Sequence, residues 1–484
     1  MCMQILYWWV LTLLGLFQVY AAGHALLYKR DPKAAWAWIA TCILLPPFGA
    51  ILYFLLGINR VRTKAKNLKW YWPLVHIEFP SQYENGCQPA IHALPSLENT
   101  SPTFQRIADI SEAITKRPLL CQNSIAPLFN GEQAFPSMLE AIDSASSCVF
   151  LSTYIFETNH TGQQFIEALQ RACKRGVDVR VIMDGIGEFY SWPRASKLLN
   201  KKNIPCAQFM PLRLFPPSAF INLRNHRKIL TVDGKIGFTG GMNIGDRHLF
   251  DRLSRASRVQ DIHFQCSGPI VAQMEQVFLE DWGFCTGDED LKPSAPHLDP
   301  SGPAVCRTIT VGPNQDLNKL SMILVGAISQ AQDDVMIMTP YFLPNRELIG
   351  ALQSAALRGV KVNIVLPGKN NLPFVHWATQ NMLWELLQYG VRIFYQPPPF
   401  NHSKLFLVDD SYAQIGSANL DPRSLRLNFE MVVEFYDQKL ISSLTRHVQN
   451  TIQISREEAL PQVDGRSLPA RLRDSFFWLF SPYF

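Results

Sequence analysis

The chain has 484 residues, enough for two or three domains, and 47% of them are hydrophobic against only 18% charged. That balance is apolar for a soluble enzyme and points towards a membrane. A net charge of +5 is too weak to argue for nucleic acid, though it suits an anionic lipid surface. The ten cysteines form no Cys-x-x-Cys pair and no zinc spacing, so they read as free thiols in a reducing compartment and imply no metal site.

In chain order, residues 5–27 are apolar and uncharged, about the length of a bilayer-spanning helix. Lys29, Arg30, Asp31, Pro32 and Lys33 interrupt the pattern, and a second apolar run covers 34–57. A cleaved signal peptide fits poorly, because no basic residue precedes the first run and the second follows at once. Pro46 and Pro47 fall inside the second run and predict a kink or a re-entrant segment. Trp8, Trp9, Trp36 and Trp38 lie near the run ends, where interfacial aromatics belong. Arg60, Arg62, Lys64, Lys66 and Lys69 follow, against three basic residues between the runs. The positive-inside rule then predicts a transmembrane hairpin over 1–60 with both ends cytoplasmic. The same basic cluster suits anionic headgroups.

Residues 61–120 are sprinkled with Pro, Ser and Asn, show no clear periodicity and read as a connector. A repeat begins after them. A helical pattern from Met138 precedes an apolar strand from Cys148, then a helix ending at Arg175-Gly176-Val177 and a further strand. The second half answers with a strand from Val335 and a helix ending at Arg358-Gly359-Val360, again followed by a strand. The repeated unit is strand, helix, strand, loop, strand, which is α/β logic. Two domains over 121–286 and 304–484 follow, joined by a Pro-, Asp- and Ser-rich linker at 287–303. The aromatic tail 472–484 is too short to span a bilayer. It could lie on one or pack on the body.

Each domain carries one copy of a motif. The first copy holds Asn225, His226, Lys228 and Asp233, then Gly240 and Asn243; the second holds Asn401, His402, Lys404 and Asp409, then Gly416, Ser417 and Asn419. The two copies lie 176 positions apart at every matched residue. One His-x-Lys carries almost no information, but two with the same trailing Asp, Gly and Asn are hard to reach by chance. Apolar runs after each Lys predict buried strands, with His and Lys on one face. An imidazole beside an ammonium, with Asn and Ser417 nearby, suits a phosphodiester: lysines and amides hold the non-bridging oxygens while one His attacks phosphorus and the other protonates the leaving oxygen. Neither half carries a complete set, so the site should lie at a pseudo-twofold interface with His226 facing His402.

The paired motif resembles the phospholipase D superfamily. That resemblance implies two tandem phospholipase D-like domains and a carboxylate that orients each histidine. The role falls on Asp261, 35 positions after His226, and Glu430, 28 after His402. It also implies that Asp233 and Asp409, which belong to the catalytic motif, are mostly structural, and that His226 is the nucleophile. Two lysines at one phosphate supply the charge that a divalent metal would bring, so neither metal nor cofactor is implied.

The two-run N-terminus, the stretch 419–425 running into Asn428-Phe429-Glu430, and the Phe-Ser-Pro ending look similar to bacterial cardiolipin synthases of the phospholipase D type. Their activity would join two phosphatidylglycerol molecules and release glycerol, in the bacterial inner membrane. Gly241 stands where the superfamily usually has Ser or Thr. A hydrolytic phospholipase D or another phosphatidyltransferase would use the same motif. A nuclease fits the apolar N-terminus poorly, and a lipid-binding scaffold would not need both histidines.

Overall fold

The two strand–helix–strand repeats are laid out in a computed structural model, which describes residues 2–29, 32–57, 102–212, 223–250, 258–289, 291, 293, 301–313 and 316–483. The basic cluster from Arg60 to Lys69 and most of the linker lie outside the described residues. The chain divides into two units, Met1–Asn67 and Leu68–Phe484.

In the first unit, α1 (Cys2–Tyr28) is long and apolar enough from Gln4 to Tyr28 to cross a membrane. At 1.5 Å per residue those 25 residues reach about 37 Å, more than the ~30 Å hydrocarbon core. The second apolar run is not one continuous helix. α2 (Pro32–Leu44) covers only about 20 Å. The chain then breaks at Leu45, Pro46 and Pro47 before α3 (Phe48–Leu52), as expected where proline removes a helical donor. Ala21 and Ala25 of α1 pack against Cys42, Ala50 and Tyr53, so small residues let the helices approach closely. Leu6, Trp8, Leu13, Leu16, Trp36 and Phe48 stay exposed, which is costly in water and favourable in lipid.

In the second unit, the first half runs β1 (Leu120–Phe129), helix Asn130–Ser144, β2 (Cys148–Thr153), helix His160–Lys174, β3 (Asp178–Asp184), β4 (Cys206–Phe209), β5 (Ile229–Val232), β6 (Ile236–Gly240), β7 (Val259–Gln260), β8 (Ile262–Ser267) and helix Ile270–Thr286. The second half runs β9 (Ala304–Val311), helix Lys319–Gln330, β10 (Asp334–Met338), helix Arg346–Leu357, β11 (Lys361–Pro367), β12 (Arg392–Gln396), β13 (Phe400–Asn401), β14 (Leu405–Val408), β15 (Tyr412–Gly416), β16 (Glu430–Tyr436) and helix Gln438–Gln453, with β17 (Arg456–Glu458) after it. Among the described residues, β1 and β9 pair antiparallel at the centre of a fifteen-stranded sheet. Outward from them, β8-β6-β5-β2-β3-β4 is answered by β16-β15-β14-β10-β11-β12, with β17 added at one edge. Two halves of matching topology are therefore related by a pseudo-twofold axis between β1 and β9.

Matching local chemistry builds both halves. Asn159 caps helix His160–Lys174 through the Gly162 N–H, and Asn345 caps Arg346–Leu357 through Leu348. Each helix ends near a left-handed glycine, Gly176 at φ 85° and Gly359 at φ 93°. Each half has its own core. Phe165, Leu169, Val181 and Leu230 are buried in the first and Leu352, Ile364, Phe406 and Val432 in the second, roughly 1.5–3 kcal/mol for each large side chain.

The stretch read as connector holds more order than its composition suggests. Helix Pro102–Thr115 sends Ile107 and Ala108 into the core of the second half, and Ser111 donates to the buried Glu434 carboxylate. The tail forms helix Leu468–Trp478. It packs on the body through Phe477 against Trp377, while Leu472, Phe476, Leu479 and Phe480 stay exposed.

Candidate active site

The motif strands begin later than the sequence suggests. β5 and β14 start just after Lys228 and Lys404, so each His and Lys sits in the extended lead-in. That lead-in is shaped by an asparagine: Asn225 Oδ1 accepts the Arg227 N–H at 3.0 Å, and Asn401 Oδ1 accepts the Ser403 N–H at 2.8 Å. Lys228 Nζ donates to the His226 carbonyl at 2.7 Å, and Lys404 Nζ to the His402 carbonyl at 2.5 Å.

Backbone pairing across the seam brings the two lead-ins together. The His226 N–H donates to the Phe429 carbonyl at 2.9 Å, and the His402 N–H to the Gln260 carbonyl at 2.7 Å. Phe429 and Gln260 are the residues immediately before Glu430 and Asp261. Each histidine is thereby laid beside the acid of the opposite half. His226 Nδ1 meets Glu430 Oε2 at 3.1 Å, and His402 Nδ1 meets Asp261 Oδ2 at 2.9 Å. With Nδ1 held by a carboxylate, Nε2 of each ring is the nitrogen left for chemistry.

Burial dominates the electrostatics. It pushes His226 below the ordinary imidazole value, opposed by Glu430 and assisted by Lys228. It pushes His402 well below, with Lys404, Lys228 and His226 adding to the effect. Burial lowers Lys228 to about 7 and Lys404 to about 8. Burial works to raise Glu430, but the His226 and Lys228 charges outweigh it and hold the carboxyl below its usual value. Asp261 is raised by burial. Two buried ammonium groups near two imidazoles form a cradle that an anion would stabilise.

The other residues singled out by sequence divide into two groups. Asn243 Oδ1 accepts the Ile155 N–H at 3.1 Å, and Asn419 Oδ1 is buried with no hydrogen-bond partner among the described residues. The Ser417 hydroxyl bonds both the backbone of Met431 and the Glu430 carboxylate. Asp233 and Asp409, counted with the catalytic motif, lie elsewhere. Asp233 accepts the N–H groups of Ser146, Ser147 and Cys148, and Asp409 those of Gln332, Asp333 and Asp334. Both have positive φ, 52° and 48°, in the turn after the motif strand. Their recorded bonds tie down the start of β2 and β10, and none reaches a motif histidine or lysine.

Gly241 has a structural cause. A Cβ there would stand 2.5 Å from Asp261 Oδ2, so the shorter acid packs directly on the glycine. In the other half the longer Glu430 takes a bond from Ser417 at the matching position.

Sequence reasoning missed Tyr154 and Tyr341. The Tyr154 ring lies 5.0 Å from His226 and 5.7 Å from Lys228 Nζ, and the Tyr341 ring lies 6.4 Å from His402. A signal was present: Tyr154 comes one residue and Tyr341 two residues after a Thr, Thr153 and Thr339, whose hydroxyl donates at 3.0 Å to the carbonyl two residues on.

The chain is similar to known proteins over most of its length. The family model described as cardiolipin synthase, PLD-like domain, matches residues 138–282 and 324–452, and a phospholipase D-nuclease N-terminal model matches 16–57. The chain is 30% identical to the major cardiolipin synthase of Bacillus subtilis, over 94% of each chain. It is 31% identical to a cardiolipin synthase of Pseudomonas putida, covering 93% of this chain and 92% of that one. Among solved structures, a phosphatidylserine synthase of Haemophilus influenzae shares the fold at TM-score 0.59 and 15% identity, over 78% of this chain and 100% of that one. The chain belongs to the cardiolipin synthase family, built on two phospholipase D-like domains and associated with the membrane through an apolar N-terminus.

Proposed function

We propose that the protein transfers a phosphatidyl group from one phosphatidylglycerol to a second, releasing glycerol and forming cardiolipin. The observation that carries this reading is the crossed pair of histidine–carboxylate contacts beside two buried lysines.

In the first step His226 Nε2 attacks phosphorus while Glu430 holds its Nδ1–H. The bond from phosphorus to the glycerol oxygen breaks, and that oxygen takes a proton from His402 Nε2. In the second step a hydroxyl of the incoming phosphatidylglycerol gives its proton to His402, and its oxygen displaces His226 from phosphorus. Each step makes one bond to phosphorus and breaks one, so His226 and His402 return to their starting states. Lys228 and Lys404 hold the non-bridging oxygens, aided by Asn243, Asn419 and Ser417. Asp261 keeps His402 in register, and Asp233 and Asp409 brace the strands. His402, neutral in the empty site, gains its proton once the phosphate anion offsets the lysine charges.

The test is to incubate the full chain with phosphatidylglycerol and measure glycerol and cardiolipin, with a chelator present throughout. Equal yields of both products are expected, and excess glycerol should suppress them. Glycerol-independent formation of phosphatidic acid would favour the hydrolytic reading. Loss of activity restored by a divalent cation would overturn the lysine-based mechanism.

The reading includes two membrane passes with the catalytic body in the cytoplasm. The basic residues Arg60, Arg62, Lys64, Lys66 and Lys69 support it, as do the free thiols of Cys173, Cys206, Cys266, Cys285 and Cys306. A Ser294→Cys protein in intact cells should resist an impermeant maleimide. Labelling would place the body outside.

A further inference from the structure

We infer that the aromatic turn after β3, carrying Phe189, Tyr190 and Trp192, is a membrane-docking rim that seats the mouth of the active site on an anionic lipid surface. The inference rests on the phosphatidyl-transfer reading only for the nature of that surface. The turn follows the strand end that carries Asp184 and spans the short helix Gly187–Tyr190 and the residues up to Arg194.

Three large aromatics stand out of it, Phe189 53%, Tyr190 55% and Trp192 80% exposed, beside a well-packed body. Leaving that much aromatic surface in water is unfavourable, and a contiguous patch marks a contact surface. The backbone beneath them is firmly held. Asp184 Oδ1 accepts the N–H groups of Ile186 and Gly187 at 2.8 and 3.1 Å. The Ser191 hydroxyl meets the Thr158 N–H and hydroxyl, each at 2.7 Å, and the Thr158 hydroxyl is 2.8 Å from the Pro193 carbonyl. Glu188 is buried, bonded to the Ser196 N–H at 2.9 Å and to the Gln208 amide. A Cβ on Gly187 would meet the Tyr154 carbonyl at 1.6 Å, so the turn is packed tightly on the strand end. The anchors point the polar groups inward and leave the rings outside.

The occupant follows from charge and position. Arg194 lies over the Phe189 ring at 4.2 Å and Lys197 over the Trp192 ring at 5.5 Å. Aromatic rings interleaved with cations match the headgroup layer of an anionic bilayer, where the rings reach the acyl boundary and the cations meet phosphates. The rim is continuous with the site. Tyr190 is 6.2 Å from Tyr154, whose ring lies 5.0 Å from His226. A single ring, Tyr154, thus separates the rim from His226. A lipid entering from the bilayer would pass the rim before its phosphate reached the lysines.

The test compares the full chain with its Trp192→Phe variant in bilayer nanodiscs of phosphatidylglycerol and phosphatidylcholine. The same discs are then made with phosphatidylcholine brominated high on the acyl chain. The difference in emission between the two proteins reports Trp192 alone among the eleven tryptophans. That difference should be quenched about twofold or more by bromine, because interfacial side chains reach the headgroup–acyl boundary. It should also be shielded from aqueous acrylamide. An unquenched, acrylamide-accessible Trp192 would overturn the inference and turn attention to a protein partner. The readout requires no turnover, so failure here is separate from failure of the transferase reading. Unaltered thermal melting of the variant excludes misfolding as the cause of a change.

Discussion

His226 is held by Glu430, a carboxylate 204 positions further along the chain and in the opposite half, at 3.1 Å. His402 is held by Asp261 in the same crossed manner at 2.9 Å. The cause lies in the backbone: each histidine N–H pairs with the carbonyl just before the opposite acid. Neither half can align its own histidine, and the site exists only when β1 and β9 join the two.

Crossing makes the acids distinguishable by kinetics. Glu430→Gln should impair the nucleophile and Asp261→Asn the general acid, each by about 10²–10⁴-fold on phosphatidylglycerol. A phosphodiester with a nitrophenol leaving group needs no acid. It should restore the first-turnover burst of nitrophenol in Asp261→Asn, but not the later transfer step that uses His402 as base, and leave the burst of Glu430→Gln slow. Rescue of Glu430→Gln instead would mean that each acid serves the histidine of its own half.

The pH profile follows from burial of His226 and of the two lysines. His226 must be neutral to attack, and its value is lowered, so kcat/KM should hold up as pH falls below the ordinary imidazole range. The lysines must be charged to bind phosphate, and burial lowers them to about 7 and about 8. Their charge is lost as pH rises through those values, so kcat/KM should decline on the alkaline side. Lys228→Arg stays charged, so its alkaline limb should flatten at a lower overall rate. An alkaline limb unchanged in Lys228→Arg would remove Lys228 from this account.

Gly241→Ser restores the residue type implied by the superfamily resemblance and should still be harmful. The new Cβ would stand 2.5 Å from Asp261 Oδ2, displacing the acid that holds His402. A shift of about 1 Å at such a group costs on the order of 10²-fold in kcat. The loss should disappear from the first-turnover burst of the activated nitrophenol substrate and remain in the transfer step that follows. Full activity of Gly241→Ser on phosphatidylglycerol would show that Asp261 is free to move.

Much of this was legible in the sequence. Repetition at a fixed offset does not depend on three-dimensional detail, so the two halves, the α/β unit and the His226–Lys228 and His402–Lys404 pairs could be read directly. The crossing of Asp261 and Glu430 could not. Their spacings of 35 and 28 suggest service within each half, and only the sheet order decides which strand meets which lead-in. Helix Pro102–Thr115 stayed hidden because Ser111 interrupts its apolar face, and that hydroxyl is satisfied by Glu434, more than three hundred residues away. Composition marked the second apolar run as membrane-like. Pro46 and Pro47 decide that it becomes two short helices.

The most direct measurement asks which histidine carries the phosphatidyl group. A His402→Asn protein should still load from a labelled substrate with a good leaving group, because the missing acid is not needed. After an alkaline quench, which preserves phospho-imidazole, the label should map to the peptide containing His226. Label that persists in His226→Asn and vanishes in His402→Asn would contradict the assignment and exchange the roles of the two halves.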